Sequence, residues 1–495
     1  MPNKLTIKFS LILASLLALP TAQAGNLPEL FGPQPAARGA STAKAAAAPP
    51  AAQAVKFNAE ALLGLPEGGE AQACLPRLGC FTIVHDRNER QPGGDTTWIG
   101  YFKGYGTDYR IFITVGAYGA SGLIVSPDGE FSLTPGGDQE WLRDQKQAGF
   151  QPVAPSADDT RAQPKAALAA SGASFAADFA AASENSTIDL MLVYTPGMAQ
   201  RYGAGLSARL NNLVAIANQA YIDSGVGITL RLVGTVEIDY SETTSINTAL
   251  DDLSDGIGPF AGVAALRRQY GADLVQLIRP YRGSVAGCGL AWIGSAQPLP
   301  QYGYSVSADG PDAEGSNTYC YDISLAHELG HNMGAAHDRA HANAPGAYDY
   351  SYGYGFDGKF ATIMAAGYID AKPVAKFSSP NLDCGGSPCG VAANLPNAAD
   401  NAQTLNNTRA AIAWFAGASP TECLLNWAEA SYPGLFSPPG AASQYLSSYT
   451  YRYYAATQAY LGVSATDSHA YYLGPDGALR DEGALSIWLP LAGCQ

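Results

Sequence analysis

Histidine is scarce in this chain, with six among 495 residues. Charge is scarce as well: Asp, Glu, Lys and Arg make up 14%, and 28 basic residues stand against 43 acidic ones for a formal net charge of -15. The bases are scattered rather than blocked, which excludes a broad basic surface for nucleic acid or anionic lipid. Long apolar runs are missing beyond the N-terminus, where no stretch reaches the roughly 18 residues a membrane helix needs. No nucleic-acid partner and no membrane span are therefore expected. What is present is a 47% hydrophobic fraction, enough to bury a core in each of several domains, since a chain this long exceeds one ordinary domain.

The apolar run "FSLILASLLALP" follows Lys4 and Lys8 and precedes Ala22-Gln23-Ala24, a small-x-small cleavage signal before Gly25. This pattern predicts a secretory signal peptide over residues 1–24 and a secreted, extracellular protein. Eight cysteines, an even number, then favour disulfides over free thiols. Their local grouping favours Cys74 with Cys80, Cys288 with Cys320, Cys384 with Cys389, and Cys423 with Cys494, while spacing by itself leaves the connectivity open.

Composition divides the rest. Residues 25–55 are Ala- and Pro-rich ("QPAARGASTAKAAAAPPAAQA") and predict a flexible lead-in. From Lys56 to Val153 short alternating runs such as "TTWIGYF" and "YRIFITV", with a turn at Pro127-Asp128-Gly129, predict a β-rich domain. Residues 154–186 are again rich in Ala, Ser and Pro and predict an exposed linker that is easily cut. From Thr187 strand-like runs alternate with helical periodicity, the pattern of an α/β domain reaching to about residue 418. Residues 419–495 combine a helical start with Tyr-rich alternation and predict a small α+β domain, whose tyrosines either fill a half-buried sheet or form a carbohydrate- or surface-binding face.

Half of the histidines fall within "HELGHNMGAAHD", His327 to Asp338. His327 and His331 stand one turn apart on a helix and can reach one metal ion. Glu328, beside the first, is placed to take a proton from a metal-bound water as a general base. His337 reaches the same ion only if the chain turns back, and Gly334 permits that turn. Three neutral nitrogens leave a fourth position open, as in catalytic zinc sites. One catalytic Zn2+ is expected, with proteins or peptides as substrates; the oligomeric state is not indicated. His85, His341 and His469 are expected to be satisfied locally. "SADGPDAEGSN", Ser307 to Asn317, has the residue types of a Ca2+ loop but matches no EF-hand spacing.

The string H-E-x-x-H-x-x-G-x-x-H resembles the zinc motif of the metzincin metallopeptidases, and the following Asp338 makes it most similar to the reprolysin-like branch. Met364 in "ATIMAAGY" stands where that family has its Met-turn, an apolar floor beneath the histidines. From about Thr187 to Phe415 the chain resembles bacterial peptidyl-Asp metalloendopeptidases. The resemblance implies a twisted mixed sheet with a zinc helix over residues 187–418, a β-rich propeptide over 56–153 and an accessory domain over 419–495. It also implies an antiparallel edge strand that pairs with substrate backbone, placed at Gly289, Leu290 and Ala291. A free Cys74 or Cys80 thiolate covering the zinc is an alternative to their disulfide. Cleavage on the N-terminal side of Asp would need a cation beyond the Met-turn, where Lys372 and Lys376 stand and Lys372 is the nearer. Ala366 occupies the place of a tyrosine found in some metzincins, and Tyr368 is the nearest one. The rival class is an exported binding protein with a structural zinc site, which would need a fourth protein ligand that the sequence does not display.

Overall fold

The computed structural model describes residues 27–32, 52–136, 139–153, 158–163, 185–285, 287–296, 298–366, 371–416, 420–438, 444–446, 449–464 and 467–492. Residues 1–24, Tyr368 and Cys494 lie outside them.

The β-rich region folds as a nine-stranded sheet in which every neighbouring pair is antiparallel, running from Phe31–Gly32 at one end to Glu70–Leu75 at the other. Leu30 N to Gln72 O at 2.7 Å and Gln72 N to Pro28 O at 2.8 Å join the two ends. Alternation puts Trp98, Phe102, Ile111 and Phe131 inside, where they form one core. Two pieces of the expected lead-in belong to this sheet, Phe31–Gly32 and the strand Ala52–Phe57. Cys74 and Cys80 pair directly across neighbouring strands as a disulfide.

The α/β region has four parallel strands in the order Ile228–Glu237, Ser186–Tyr194, Leu274–Pro280 and Tyr304–Pro311. The strand Gly289–Ile293 is added antiparallel to the last of them, where an edge strand was expected. Parallel neighbours need crossovers, which the helices Leu206–Asp223 and Ile246–Asp255 provide. Leu206–Asp223 is buried on nearly all sides, because Leu210, Leu213 and Ala217 join the sheet's core while Ile216 packs on Ile99 and Phe112 of the N-terminal sheet. Polar bonds run beside that packing: Asn212 Nδ2 to Thr114 Oγ1 at 3.1 Å, Ser207 Oγ to Asp95 Oδ2 at 2.7 Å, and Arg110 to both Asp223 oxygens at 2.7 and 3.1 Å.

Residues 420–492 contain a five-stranded antiparallel sheet in sequence order, with helices Pro420–Ser431 and Leu485–Ala492. Cys288–Cys320 and Cys384–Cys389 are disulfides, and Cys423 is disulfide-bonded too. Among the described residues, no helix is long and apolar enough to cross a membrane.

Candidate metal centre

The helix Ser324–Asn332 carries His327, Glu328 and His331, all buried. Leu325, Ala326 and Leu329 seat it in the core, and two glycines let it approach the edge strand closely. A Cβ on Gly289 would collide with Glu328, and one on Gly294 with the Asn332 carbonyl. The helix ends where expected: Gly334 adopts φ 93°, and its N–H bonds the His331 carbonyl at 2.8 Å. The chain then turns back and delivers His337 to the same place.

The three Nε2 atoms converge, His331 to His327 at 3.1 Å and His327 to His337 at 3.2 Å. Nδ1 of His327 donates to the Ile363 carbonyl and Nδ1 of His331 to the Ala335 carbonyl, each at 2.8 Å. A neutral ring that donates through Nδ1 presents a lone pair at Nε2, and facing lone pairs this close call for a cation between them. Protonation is a poor substitute, since burial pushes the His331 imidazolium down to about 4. The donor set fits zinc. Met364 is fully buried beneath the helix, with its sulfur beside Gly330, and its carbonyl accepts from Asp338 N at 3.1 Å. Asp338 Oδ2 in turn accepts from Ala366 N at 3.0 Å, which fixes the Met-turn to the residue after the third histidine.

A fourth donor, unforeseen in the sequence, is Asp159. Its carboxylate lies 3.4, 3.3 and 2.8 Å from Nε2 of His327, His331 and His337, and only 4% of the residue is exposed. Where it is described, the expected exposed linker is instead held in the cleft. Thr160–Ala162 pairs in parallel with the edge strand, Thr160 opposite Ala291, and Ala291 N donates to the Asp159 carbonyl at 3.0 Å. Upstream, Gln151–Pro152 pairs in parallel with Thr318–Cys320. Burial alone would raise the Asp159 carboxyl, but the surrounding His327, His331 and His337 outweigh it and hold it well below the ordinary value. Burial, and second the charge of Asp159, push Glu328 well above its own. Glu328 Oε2 is buried without a hydrogen-bond partner.

Residues 185–395 match the metallo-peptidase family M12B, reprolysin-like. This part of the chain is a reprolysin-like metallopeptidase domain. The peptidyl-Asp metalloendopeptidase of Pseudomonas aeruginosa is 33% identical over 278 residues, 51% of this chain and 44% of that protein. The protein of the same name from Stenotrophomonas maltophilia is 32% identical over 238 residues, 46% of this chain and 52% of its own length. The snake venom metalloproteinase atroxlysin-1 of Bothrops atrox is 26% identical over 162 residues, 32% of this chain and 76% of that one. The chain thus spans about half the length of the bacterial relatives it matches. Residues 30–148 match the BamI lipocalin-like domain, a description that suits the closed sheet.

The remaining expectations fare differently. Cys74 and Cys80 hold each other, so no thiolate reaches the metal centre. Leu290 points into the core, so the edge strand offers its backbone and not that side chain. Lys372 is exposed, with Nζ 3.7 Å from the Tyr109 ring centroid, whereas Lys376 is the more enclosed lysine. The carboxylates of the suspected calcium loop are used internally: Asp309 binds Arg209, and Asp312 accepts the N–H groups of Gly283, Glu314 and Ser316. His85, His341 and His469 are satisfied by Pro66 and Asn88, by Asp338, and by Asp481.

Proposed function

We propose that the chain is an exported, zinc-dependent endopeptidase made as a latent proenzyme, with His327, His331 and His337 as ligands, Glu328 as general base and Asp159 as the latch. The observation that carries this reading is the convergence of three imidazoles beside the buried Glu328, whose Oε2 has no hydrogen-bond partner. When bound, zinc supplies positive charge that lowers the pKa of a water and polarises the scissile carbonyl. Glu328 would take a proton from the attacking water and pass it to the leaving amine. The outer edge of Gly289–Ile293 aligns the peptide backbone, a place Thr160–Ala162 fills in the latent chain. Cleavage in the Ala-rich residues 164–184 frees that edge and lets Asp159 leave.

The relatives' name supports cleavage beside Asp, on its N-terminal side in our reading. Asp159 also gives the rival reading its one support, since a fourth protein ligand is what a structural zinc site has. Two facts weigh against it. The ligand comes from a segment outside the reprolysin-like domain, and Glu328 has no role in a closed site. Zinc content and casein hydrolysis, measured before and after processing, decide between them. One zinc throughout with hydrolysis only after processing is expected; zinc without hydrolysis in either form selects the structural site.

A further inference from the structure

The N-terminal sheet reaches the peptidase domain at a second point. A cavity of about 340 Å³ lies between them, walled by Ile323 before the zinc helix, by Ile363 and Ala366 at the Met-turn, and by Lys376. Lys376 is close to the chemistry through the backbone: Ile363 N donates to the Lys376 carbonyl at 2.9 Å, and the Ile363 carbonyl accepts from His327 Nδ1 at 2.8 Å. Two hydrogen bonds therefore separate this lysine from a zinc ligand. Its side chain is 16% exposed, and Nζ donates to Asp108 Oδ1 at 2.7 Å and to the Asp383 carbonyl at 3.3 Å. Asp108 belongs to the N-terminal sheet's loop between Thr96–Phe102 and Arg110–Gly116.

We infer that Lys376 is the residue that reads the substrate's aspartate, and that Asp108 occupies its place in the latent chain as an internal stand-in. The inference rests on the endopeptidase reading above and deepens it. An enclosed ammonium needs a partner, because leaving it unpaired carries a desolvation cost. When the N-terminal sheet leaves, Asp108 leaves with it, and Lys376 keeps one carbonyl and faces the emptied cavity. A carboxylate of the incoming peptide restores the pair. The latent chain thus sets one carboxylate at the metal, Asp159, and another at the side-chain pocket, Asp108.

Other charges on the cavity set the competing outcome. Asp322 remains held by Arg209 of its own domain at 2.6 and 2.8 Å. Asp223 loses Arg110, which belongs to the departing sheet, and keeps Gln219 at 2.8 Å. A pocket governed by Asp223 would select lysine or arginine instead.

The test is a proteome-derived peptide library digested with the processed enzyme and its Lys376→Met, Lys376→Arg and Lys372→Ala variants, followed by kcat/KM on matched Asp and Leu peptides. Lys376→Met should lower kcat/KM for Asp peptides by about 100-fold while changing Leu peptides by only a few fold. Lys376→Arg should keep most of the preference, and Lys372→Ala should leave it intact. Undiminished Asp preference in a folded Lys376→Met enzyme overturns the assignment and leaves the zinc reading standing. Wild-type cleavage before Leu, Lys or Arg overturns the assignment and the aspartate reading together, again with the zinc reading intact. Absence of any hydrolysis by zinc-loaded, processed protein overturns both.

Discussion

Gly289 and Glu328 share one volume: the carboxylate lies where a side chain at position 289 would begin. The edge strand proposed to align a peptide and the carboxylate proposed as the base are thereby fixed to each other. Gly289→Ala should push the Glu328 carboxylate off its line while leaving all three imidazoles in place. Zinc content should stay at one per chain, and kcat should fall by about 100-fold, the cost of roughly an ångström of misplacement. Unchanged kcat in the processed variant would show that Glu328 does not act from this position.

Removing the base and removing a ligand should differ. Glu328→Ala deletes a group outside the converging donor set of Asp159, His327, His331 and His337, so zinc should remain bound while hydrolysis drops about 100- to 10,000-fold. His331→Ala takes away a fully buried ligand whose Nδ1 is tied to the Ala335 carbonyl, and it should lose zinc as well as activity. Metal analysis beside casein hydrolysis reads both, and an equal zinc loss in the two variants would contradict the roles assigned.

The zinc helix was legible because its information is local: a four-residue spacing, a glycine at the turn and a third histidine just beyond it. Cysteine pairing was legible for the same reason where the partners are close in the chain, as Cys74–Cys80 and Cys384–Cys389 show. Asp159 was not, because it sits in "APSADDTRAQP", whose composition reads as linker. Its burial comes from distant histidines and from Thr160–Ala162 pairing with a strand much further along the chain. The only local signal was an Asp pair followed by a few residues able to form a strand. Lys372 looked the better cation by sequence distance from Met364. The return of the chain, which bonds Ile363 N to the Lys376 carbonyl, makes Lys376 the nearer in space.

Asp159→Ala in the unprocessed chain should uncover the metal without opening the peptide groove, since Thr160–Ala162 would still cover the edge strand. A small zinc-binding hydroxamate should therefore bind the variant at least about tenfold more tightly than the wild type, a difference of roughly 1.4 kcal/mol. Casein should remain nearly uncut by both. Equal hydroxamate affinity would show that Asp159 is not what covers the metal.

Release of the N-terminal sheet after cleavage should depend on pH through Glu130. This residue lines the cavity, and its carboxyl accepts from the Tyr319 hydroxyl at 3.1 Å across the boundary between the sheet and the peptidase domain. Burial raises its pKa from 4.5 to about 7; the Tyr319 hydrogen bond opposes the rise, and the charge of Asp322 adds to it. A carboxyl with a raised pKa binds its proton more tightly in the docked state than in the separated one, so docking gains from protonation. That contribution is fully present below about 4.5 and is lost as pH rises through about 7. After cleavage within residues 164–184, the two parts should therefore co-elute from a sizing column more completely at a pH of about 6 than at about 8. Glu130→Gln keeps a neutral side chain at every pH, and it should hold the parts together equally in both buffers. If the variant retains the wild-type difference between buffers, another group governs release.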